Sequence, residues 1–336
     1  MNKIAKTALM TGTALCVAGV VLSTAGYFAG GKDFTYTSDH MYVSGGNSSA
    51  HKNLAVMKKE QIDDFTKLNV DFEDLDLDIR TSDDDHYYME YKLEKNGRKN
   101  PLTWKDKDGE LTLEEPAGGS GSYYITYDLG IFSTHADLTE KKDALNTVVL
   151  YIPEKAQLSE AELQLSDGDL AADQLLCKEM TLELLSGDLM LDKGEFEKFD
   201  AKLSDGDLNV KELQCTDNMQ LKSGNGDVTI KKAELADGQI ALSDGDIQID
   251  NSSFNGDMKI NSSCGDVSVE MKNGSAEKTN IYLKAADGDV DTEGLSRGKT
   301  DNEEDTSVYE NKAGASAPTL NVECSDGDIT LTESEK

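Results

Sequence analysis

The residues whose type and spacing could do chemistry are aspartates that follow glycines at a nearly constant interval. Successive Gly-Asp pairs in the middle of the chain are 19 or 20 residues apart. Carboxylate oxygens are the ligands that calcium prefers, so a stacked column of such residues could hold calcium ions. The column comprises Asp169, Asp188, Asp207, Asp227, Asp246, Asp266 and Asp289.

A second interpretation of this column needs no metal. Strands that stack in a sheet lie about 4.8 Å apart, and carboxylates at that spacing repel one another unless they are solvated, hydrogen-bonded or bridged by a cation. Calcium-binding β-rolls rich in Gly and Asp repeat about every nine residues, roughly half the period seen here. The aspartates could instead face water and accept hydrogen bonds from backbone amides in the same turn or the next rung. That role also explains why an aspartate recurs in every repeat. We therefore predict no cofactor, with calcium as the alternative.

The residues around each Gly-Asp pair alternate between apolar and polar. This period of two predicts a strand, a tight turn and a second strand in every repeat. Apolar columns lie five residues before the Gly and two after it, and a further column nine residues after it predicts another short strand or an inward corner. This last column comprises Cys177, Phe196, Cys215, Leu235 and Phe254.

A fixed period of this size is typical of a solenoid, in which stacked repeats share one core. No segment within the period shows the spacing of a helix. Gly tolerates the positive φ that a corner between strands can require. The sequence therefore predicts an all-β protein, a single-stranded parallel β-solenoid (β-helix) with rungs of about 19–20 residues, preceded by one N-terminal transmembrane helix.

The composition along the chain predicts its domain organisation. A cytoplasmic stub and signal-anchor helix precede a polar juxtamembrane linker, and the solenoid follows with less regular opening rungs, regular repeats, a loop and a last rung. A separate β-sandwich is the alternative for the opening part. The predicted boundaries are 1–31 for the stub and helix, 32–65 for the linker, 66–158 for the opening rungs, 159–291 for the regular repeats, 292–318 for the loop and 319–334 for the last rung.

The N-terminal segment predicts export. Lys3 and Lys6 precede an uncharged run from Thr7 to Gly31 that is long enough to span a bilayer. The positive-inside rule places the N-terminus in the cytoplasm and the rest of the chain outside the cell membrane. Cleavage after the small residues Ser23-Thr24-Ala25, which would release a secreted protein, is the alternative.

Charge and cysteine content exclude several classes of function. The chain carries 33 Lys and Arg against 65 Asp and Glu, a net charge of −32, which argues against nucleic acid as a partner. The cysteines show no zinc-binding spacing. Cys177, Cys215 and Cys324 fall in apolar columns and are predicted to be core residues, whereas Cys264 is predicted to be exposed.

Catalysis has little support in the sequence. The four histidines precede the regular repeats and lack metal-ligand spacing, and no nucleophile or phosphate-loop motif is present. A β-helix polysaccharide lyase would need basic residues in a groove. Only Lys222 and the pair Lys231-Lys232 suggest one. We predict that the protein is not an enzyme.

The order of these motifs resembles one bacterial family. An N-terminal apolar span, the strand start Leu68-Asn69-Val70-Asp71 and the strand Val149–Pro153 precede the Ser-Asp-Gly-Asp repeats. That order is similar to the bacterial "putative adhesin" family of β-strand-repeat proteins, a domain family of unknown function, over roughly 66 to 334. The resemblance implies a parallel β-helix outside the membrane and supplies no catalytic residues. Some relatives are similar to accessory proteins of envelope-stress operons.

We therefore expect a non-catalytic, membrane-anchored extracytoplasmic solenoid that acts as an adhesin or a cell-envelope interaction scaffold. Its expected partners are a cell-envelope or surface protein or glycan, and the membrane through the N-terminal helix. An accessory role in envelope-stress signalling and a calcium-binding adhesion module are the alternatives, and a polysaccharide lyase is the least favoured.

Overall fold

The computed structural model describes residues 54–117, 145–292, 295, 298–303 and 306–335, together with two short strands, β1 (Phe34–Tyr36) and β2 (Met41–Val43), which pair antiparallel. No helix in this part of the chain is long and apolar enough to cross a membrane. The predicted transmembrane segment, 1–31, lies outside the described residues.

From residue 54 onward the described chain is almost entirely β-structure, which confirms the predicted all-β class. The strands are joined by hydrogen bonds into a 23-stranded sheet, and one short 3-10 helix spans Ala276–Lys278. The strands are β3 (Leu54–Ile62), β4 (Lys67–Phe72), β5 (Asp76–Ser82), β6 (Tyr87–Glu94), β7 (Thr103–Lys107), β8 (Glu110–Glu114), β9 (Thr147–Pro153), β10 (Leu158–Asp167), β11 (Leu170–Ala172), β12 (Leu175–Ser186), β13 (Leu189–Asp205), β14 (Leu208–Asn225), β15 (Val228–Lys231), β16 (Ala233–Asp244), β17 (Ile247–Phe254), β18 (Met258–Cys264), β19 (Val267–Met271), β20 (Asn280–Asp287), β21 (Val290–Asp291), β22 (Lys299–Glu303), β23 (Thr306–Asn311), β24 (Thr319–Asp326) and β25 (Ile329–Glu333).

The regular repeats coil so that each rung pairs in parallel with the next. Leu163 lies opposite Leu182, and Leu182 lies opposite Ala201, so neighbours differ by one sequence period. The segments before each Gly form one side of the coil, and those after it form a second side, with Leu170 opposite Leu189. The apolar positions of both sides point inward because side chains of a strand alternate between its faces.

The third apolar column closes the coil, as predicted. Cys177 pairs with Phe196, Phe196 with Cys215, Cys215 with Leu235 and Leu235 with Phe254. All of these side chains are buried. They form a third side of the coil and belong to one core that continues into the capped ends of the described chain.

The corner after the first side admits only glycine. Gly206 has a φ of 140°, and a Cβ added to it would lie 2.0 Å from the carbonyl oxygen of Gly187 in the preceding rung. The other corner glycines of the coil meet a preceding carbonyl oxygen in the same way. At these glycine corners a side chain would prevent the rungs from stacking at sheet spacing, and Gly206 also supplies the left-handed φ that the corner requires.

The start of the solenoid differs from the prediction. Residues 54–62 were assigned to a linker, but they form β3, which pairs antiparallel with β6. β6 in turn pairs antiparallel with β9, and β7 pairs antiparallel with β8. Only β4, β5, β8 and β9 stack in parallel onto the coil. The physical reason is that a solenoid has an open sheet edge, and antiparallel strands cover that edge.

The end of the solenoid also requires a correction. The sequence predicts 319–334 as a last rung that follows the loop, but β24 lies between β18 and β20, and β25 lies between β19 and β21. The predicted loop 292–318 contains a hairpin of β22 and β23, in which β23 pairs antiparallel with β20. The hairpin covers the outer rung, which β20 and β21 form. The strands that follow it, β24 and β25, pair with the inner edge of that rung.

Candidate functional site

The aspartates after the corner glycines form a continuous ladder of hydrogen bonds along the coil. The Oδ1 of each aspartate before Asp289, the last in the ladder, accepts the backbone N–H of the aspartate in the adjacent rung. The amide of Asp188 donates to Asp169 at 2.9 Å, and that of Asp227 donates to Asp207 at 2.8 Å. The whole ladder runs through Asp76, Asp169, Asp188, Asp207, Asp227, Asp246, Asp266, Asp328 and Asp289, in that order.

Two members of the ladder were missing from the predicted column. Asp328 lies between Asp266 and Asp289, at 2.8 Å from each partner atom. Its motif, Ser325–Asp328, is visible in the sequence, but the motif does not show where the last rung is inserted. Asp76 begins the ladder and accepts the amide of Asp169 at 3.0 Å. It follows Leu75 rather than a glycine, so no sequence signal marks it.

The geometry of the ladder favours the interpretation without metal. One oxygen of each carboxylate before Asp289 accepts a backbone amide that would otherwise lack a partner in the sheet. In the part of the chain that the structure describes, no group of three or more His, Cys, Asp or Glu is placed to hold a metal ion. Calcium binding by the column stays a prediction.

The first aspartate of the ladder lies in a less polar environment than an ordinary surface carboxylate. Burial is the main cause that raises the pKa of Asp76 above its usual 3.8, and the neighbouring Asp169 adds to the rise. Hydrogen bonds from the amide of Asp169 and the hydroxyl of Thr147 act in the opposite direction. Asp76 therefore binds its proton more tightly in the folded state than in the unfolded chain.

Ion pairs also connect one rung to the next on the outer faces. Lys198 contacts Glu179 at 2.9 Å, Lys202 contacts Glu183 at 2.5 Å and Lys232 contacts Glu212 at 3.0 Å, each pair 19 or 20 residues apart. These side chains are about half exposed, so each pair adds little stability. The lysines in these pairs are neutralised within the coil, and the excess of acidic residues remains on its surface.

Among the described residues, the three lysines that suggested a lyase groove do not lie together. Lys222 lies on the first side of the coil, in register with Lys202, whereas Lys231 lies on the second side. Lys232 is paired with Glu212. Lys222, Lys231 and Lys232 therefore do not line one groove.

The thiols agree with their predicted positions. Cys177, Cys215 and Cys324 are buried, and Cys264 is exposed. Burial raises the pKa of Cys177 to about 12 and raises the pKa of the other two buried thiols. The thiolate is the reactive form of cysteine, so these buried residues are inert structural groups.

Of the four histidines, only His86 lies among the described residues; His40, His51 and His135 lie outside them. The backbone amide of His86 donates to Asp84 at 2.9 Å in the turn between β5 and β6. Nothing at this turn resembles a catalytic or metal-binding arrangement.

A cationic and aromatic cluster that the sequence did not predict lies on the antiparallel strands at the N-terminal end of the coil. The ammonium group of Lys59 lies 3.7 Å from the ring centre of Tyr151. The Tyr151 hydroxyl donates to Glu90 at 2.6 Å, and Arg80 binds Asp78 at 2.6 and 2.8 Å. Burial and the Glu90 hydrogen bond raise the pKa of Tyr151. Cation–π contacts and hydrogen bonds thus fix β3 and β6 onto β9.

A buried ion pair fixes the loop between β6 and β7. Arg98 donates to Glu115 at 2.5 Å, with side chains that are 11% and 2% exposed. The other oxygen of Glu115 accepts the amides of Glu73 and Asp74 at 2.9 and 2.7 Å. Charge-assisted hydrogen bonds of this kind are stronger than neutral ones, so the loop is held in one position.

Two open clefts lie at opposite ends of the described coil. The C-terminal cleft measures about 450 Å³, and its wall contains Asn280, Tyr282 and the ion pair of Glu310 with Lys312. The N-terminal cleft measures about 350 Å³. It lies between β3, β6 and β7 and is lined by Ala55, Tyr91, Asn100, Pro101, Leu102, Thr103 and Trp104.

The fold and the ladder together define a repeat protein of the parallel β-solenoid class, in which glycine corners and aspartate amide bonds set the rung spacing. The family is shown by sequence as well: the Toastrack DUF4097 profile matches residues 65–332. The chain therefore belongs to the Toastrack DUF4097 family.

Solved bacterial structures are similar to this chain at low sequence identity. A protein from Parabacteroides merdae described as a "putative adhesin" is 15% identical, with a TM-score of 0.47, over 84% of this chain and 97% of its own. A "putative lipid binding protein" from Parabacteroides distasonis is 13% identical, with a TM-score of 0.44, over 84% and 97%. A "putative cell adhesion protein" from Clostridium sporogenes is 18% identical, with a TM-score of 0.22, over 83% and 100%. None of the functionally curated proteins matches the chain.

Proposed function

We propose that this chain is a non-catalytic, membrane-anchored extracytoplasmic solenoid that binds a component of the cell envelope or cell surface, as an adhesin or an interaction scaffold. The observation that carries the proposal is the uninterrupted aspartate ladder from Asp76 to Asp289. The ladder links adjacent rungs through hydrogen bonds, and stacked repeats of this kind present the extended faces that binding solenoids use.

The chemistry of the described residues supports a binding function over a catalytic one. The buried thiols have raised pKa values, and the lysines that could have formed a lyase groove lie on different sides of the coil. A catalytic site needs a base or nucleophile positioned beside a reacting group. In the C-terminal cleft the carboxylate of Glu310 is paired with Lys312, and no charged side chain lines the N-terminal cleft.

Membrane anchoring and export are part of the proposal and are supported by the uncharged run after Lys3 and Lys6. Cys264 allows a direct test because it is exposed, whereas the other described thiols are buried. We expect a membrane-impermeant maleimide to label the full chain on intact bacterial cells. A Cys264→Ser variant, which still contains Cys16, is the control. Labelling of Cys264 only after lysis would contradict export.

Partner capture tests the binding function itself. A photo-reactive residue placed at Met190, whose side chain is 54% exposed on the second side of the coil, should cross-link the full chain to a wall glycan or a surface protein in living cells. Cross-linking only to a membrane kinase or transporter would instead support the accessory role in envelope stress. Unsaturated products from oligogalacturonate on incubation with the full chain would support the lyase and contradict the proposal.

A further inference from the structure

We propose that the N-terminal cleft between β3, β6 and β7 binds a neutral saccharide. This inference rests on the proposed function and names the chemistry of one ligand. The cleft is open, with a volume of about 350 Å³, which admits one or two sugar rings of a longer glycan but does not enclose a whole ligand.

The lining of the cleft contains no charged side chain. This is unusual in a chain in which 29% of the residues are charged, and both β3 and β7 carry lysines and acids outside the cleft. A charged ligand would find no opposite charge there. The net charge of −32 also repels polyanions such as uronates and anionic lipid surfaces. The cleft therefore favours an uncharged ligand.

The groups that do line the cleft match the two surfaces of a sugar ring. Trp104 is 39% exposed, and half-buried Tyr91 lines the same cleft. An exposed indole offers an apolar face and a polar N–H, and the C–H face of a pyranose stacks on such a ring. Asn100 is exposed beside it and can donate and accept hydrogen bonds with hydroxyl groups. The exposed Thr103 hydroxyl donates to the carbonyl of Glu114 at 3.2 Å, so towards a sugar it can accept hydrogen bonds.

One wall of the cleft is held in place before any ligand binds. Asn100 and Pro101 belong to the loop that the buried Arg98–Glu115 ion pair fixes. Within that loop the amide of Arg98 also donates to the carbonyl of Lys95 at 2.6 Å, and Pro101 restricts its own φ. A preformed wall lowers the ordering cost of binding, which matters for a weak ligand such as a neutral sugar.

The experiment uses the fluorescence of the full chain, because Trp104 is its one tryptophan. Titration with the β-1,4-linked N-acetylglucosamine tetramer or maltotetraose should give a saturable change in emission with at least one of them, and oligogalacturonate should give none. Asn100→Ala keeps the tryptophan and should weaken binding roughly tenfold by loss of hydrogen bonds. Met190→Ala, on an exposed surface of the regular repeats, is the matched control and should bind like the wild type.

The outcomes separate this inference from the proposed function. No response to either neutral saccharide at millimolar concentration, equal binding of oligogalacturonate, or unchanged affinity in Asn100→Ala would overturn the saccharide site. The saccharide site would also be overturned if an extended apolar peptide quenched the Trp104 emission saturably and neither saccharide did. If Trp104→Ala still captures an envelope partner in cells, the proposed function stands without this site. If the saccharide titration saturates but no envelope partner is captured, the site stands and the proposed function fails.

Discussion

The backbone amide of Asp328 donates to the carboxylate of Asp266 at 2.8 Å, although 62 residues separate them in the chain. The carboxylate of Asp328 in turn accepts the amide of Asp289. The rung that is last in sequence is therefore the second to last in space. The outer rung, formed by β20 and β21, and the hairpin of β22 and β23 therefore lie outside the rung that the C-terminal strands β24 and β25 form.

The insertion predicts which engineered disulfide forms. Cys264 lies opposite Asp326, and Asp326 lies opposite Asp287. Neighbouring strands are about 4.8 Å apart, within the Cα range of a disulfide, whereas strands two positions apart are roughly 10 Å apart, which is too far. We expect Asp326→Cys to oxidise to a disulfide with Cys264, and Asp287→Cys to remain reduced.

Mass spectrometry of the oxidised full chain identifies the linked peptides. The two single substitutions are matched controls for each other, because both positions are exposed and follow the same ladder register. A disulfide between Cys264 and Asp287→Cys, with none in the other variant, would mean that the rungs stack in chain order and that the insertion is wrong.

The aspartate ladder predicts a difference between two substitutions at one position. Asp207→Ala removes the acceptor of the Asp227 amide, and we expect a loss of about 0.5–1.5 kcal/mol in the free energy of unfolding. Asp207→Asn keeps a carbonyl oxygen as acceptor and should be close to the wild type. Urea unfolding measures both. Equal destabilisation by the two variants would show that charge, rather than the amide bond, is what the ladder provides.

The third side of the coil predicts a large effect of a core truncation. Phe196 is 3% exposed and stacks on Phe199, with ring centres 4.9 Å apart. Phe196→Ala should cost about 3–5 kcal/mol, because it removes buried apolar surface and leaves a cavity. Met190→Ala, in the same strand but exposed, should stay within about 0.5 kcal/mol. A thermal melt in which both variants match the wild type would contradict the assignment of this column to the core.

The repeat region could be predicted from the sequence because its signals are local and periodic. The Gly corners, the alternation and the column through Phe196 each recur once per rung, so one rung predicts the next. The ends could not be predicted this way. β3 and β7 are placed by the need to cover an open edge, and the position of Asp328 depends on which gap the last rung fills. The spacing of residues in the sequence indicates neither the placement of β3 and β7 nor the position of Asp328.

The functional surface was harder to predict for a related reason. The sequence indicated the aspartate column but not Asp76, which precedes the repeats and is recognisable only by the amide it accepts. The cleft around Trp104 combines residues from β3, β6, β7 and the preceding loop. These residues become neighbours through antiparallel pairings that have no fixed period.

Burial of Asp76 predicts a pH dependence of stability. Its folded-state pKa is raised above the usual 3.8, so the folded state binds the proton more tightly than the unfolded state does. Stability from this group is fully present below about pH 3.8 and is lost as the pH rises through the folded-state pKa. Asp76→Asn retains a carbonyl acceptor for the Asp169 amide and removes the titration.

The wild type and Asp76→Asn should therefore have similar free energies of unfolding near pH 3.5. The variant should become relatively more stable as the pH rises above 3.8 and through the raised folded-state pKa of Asp76. Urea unfolding across this range gives the difference directly, and groups common to both proteins, such as Asp74 and Asp106, cancel in the comparison. A variant that loses stability relative to the wild type at neutral pH would show that the charged form of Asp76 is the stabilising one.

The ladder also predicts the response to calcium, the ion that the aspartate column first suggested. A ligand that binds only the folded state raises its melting temperature. Because an amide occupies Oδ1 of every ladder carboxylate before Asp289, we expect the melting temperature of the full chain to be the same in millimolar calcium and in chelator. A rise in calcium that disappears in Asp207→Asn would assign calcium to the ladder. A rise that persists in that variant would place the ion elsewhere. The ladder would then have a structural role alone, in which aspartate carboxylates accept the backbone amides of adjacent rungs.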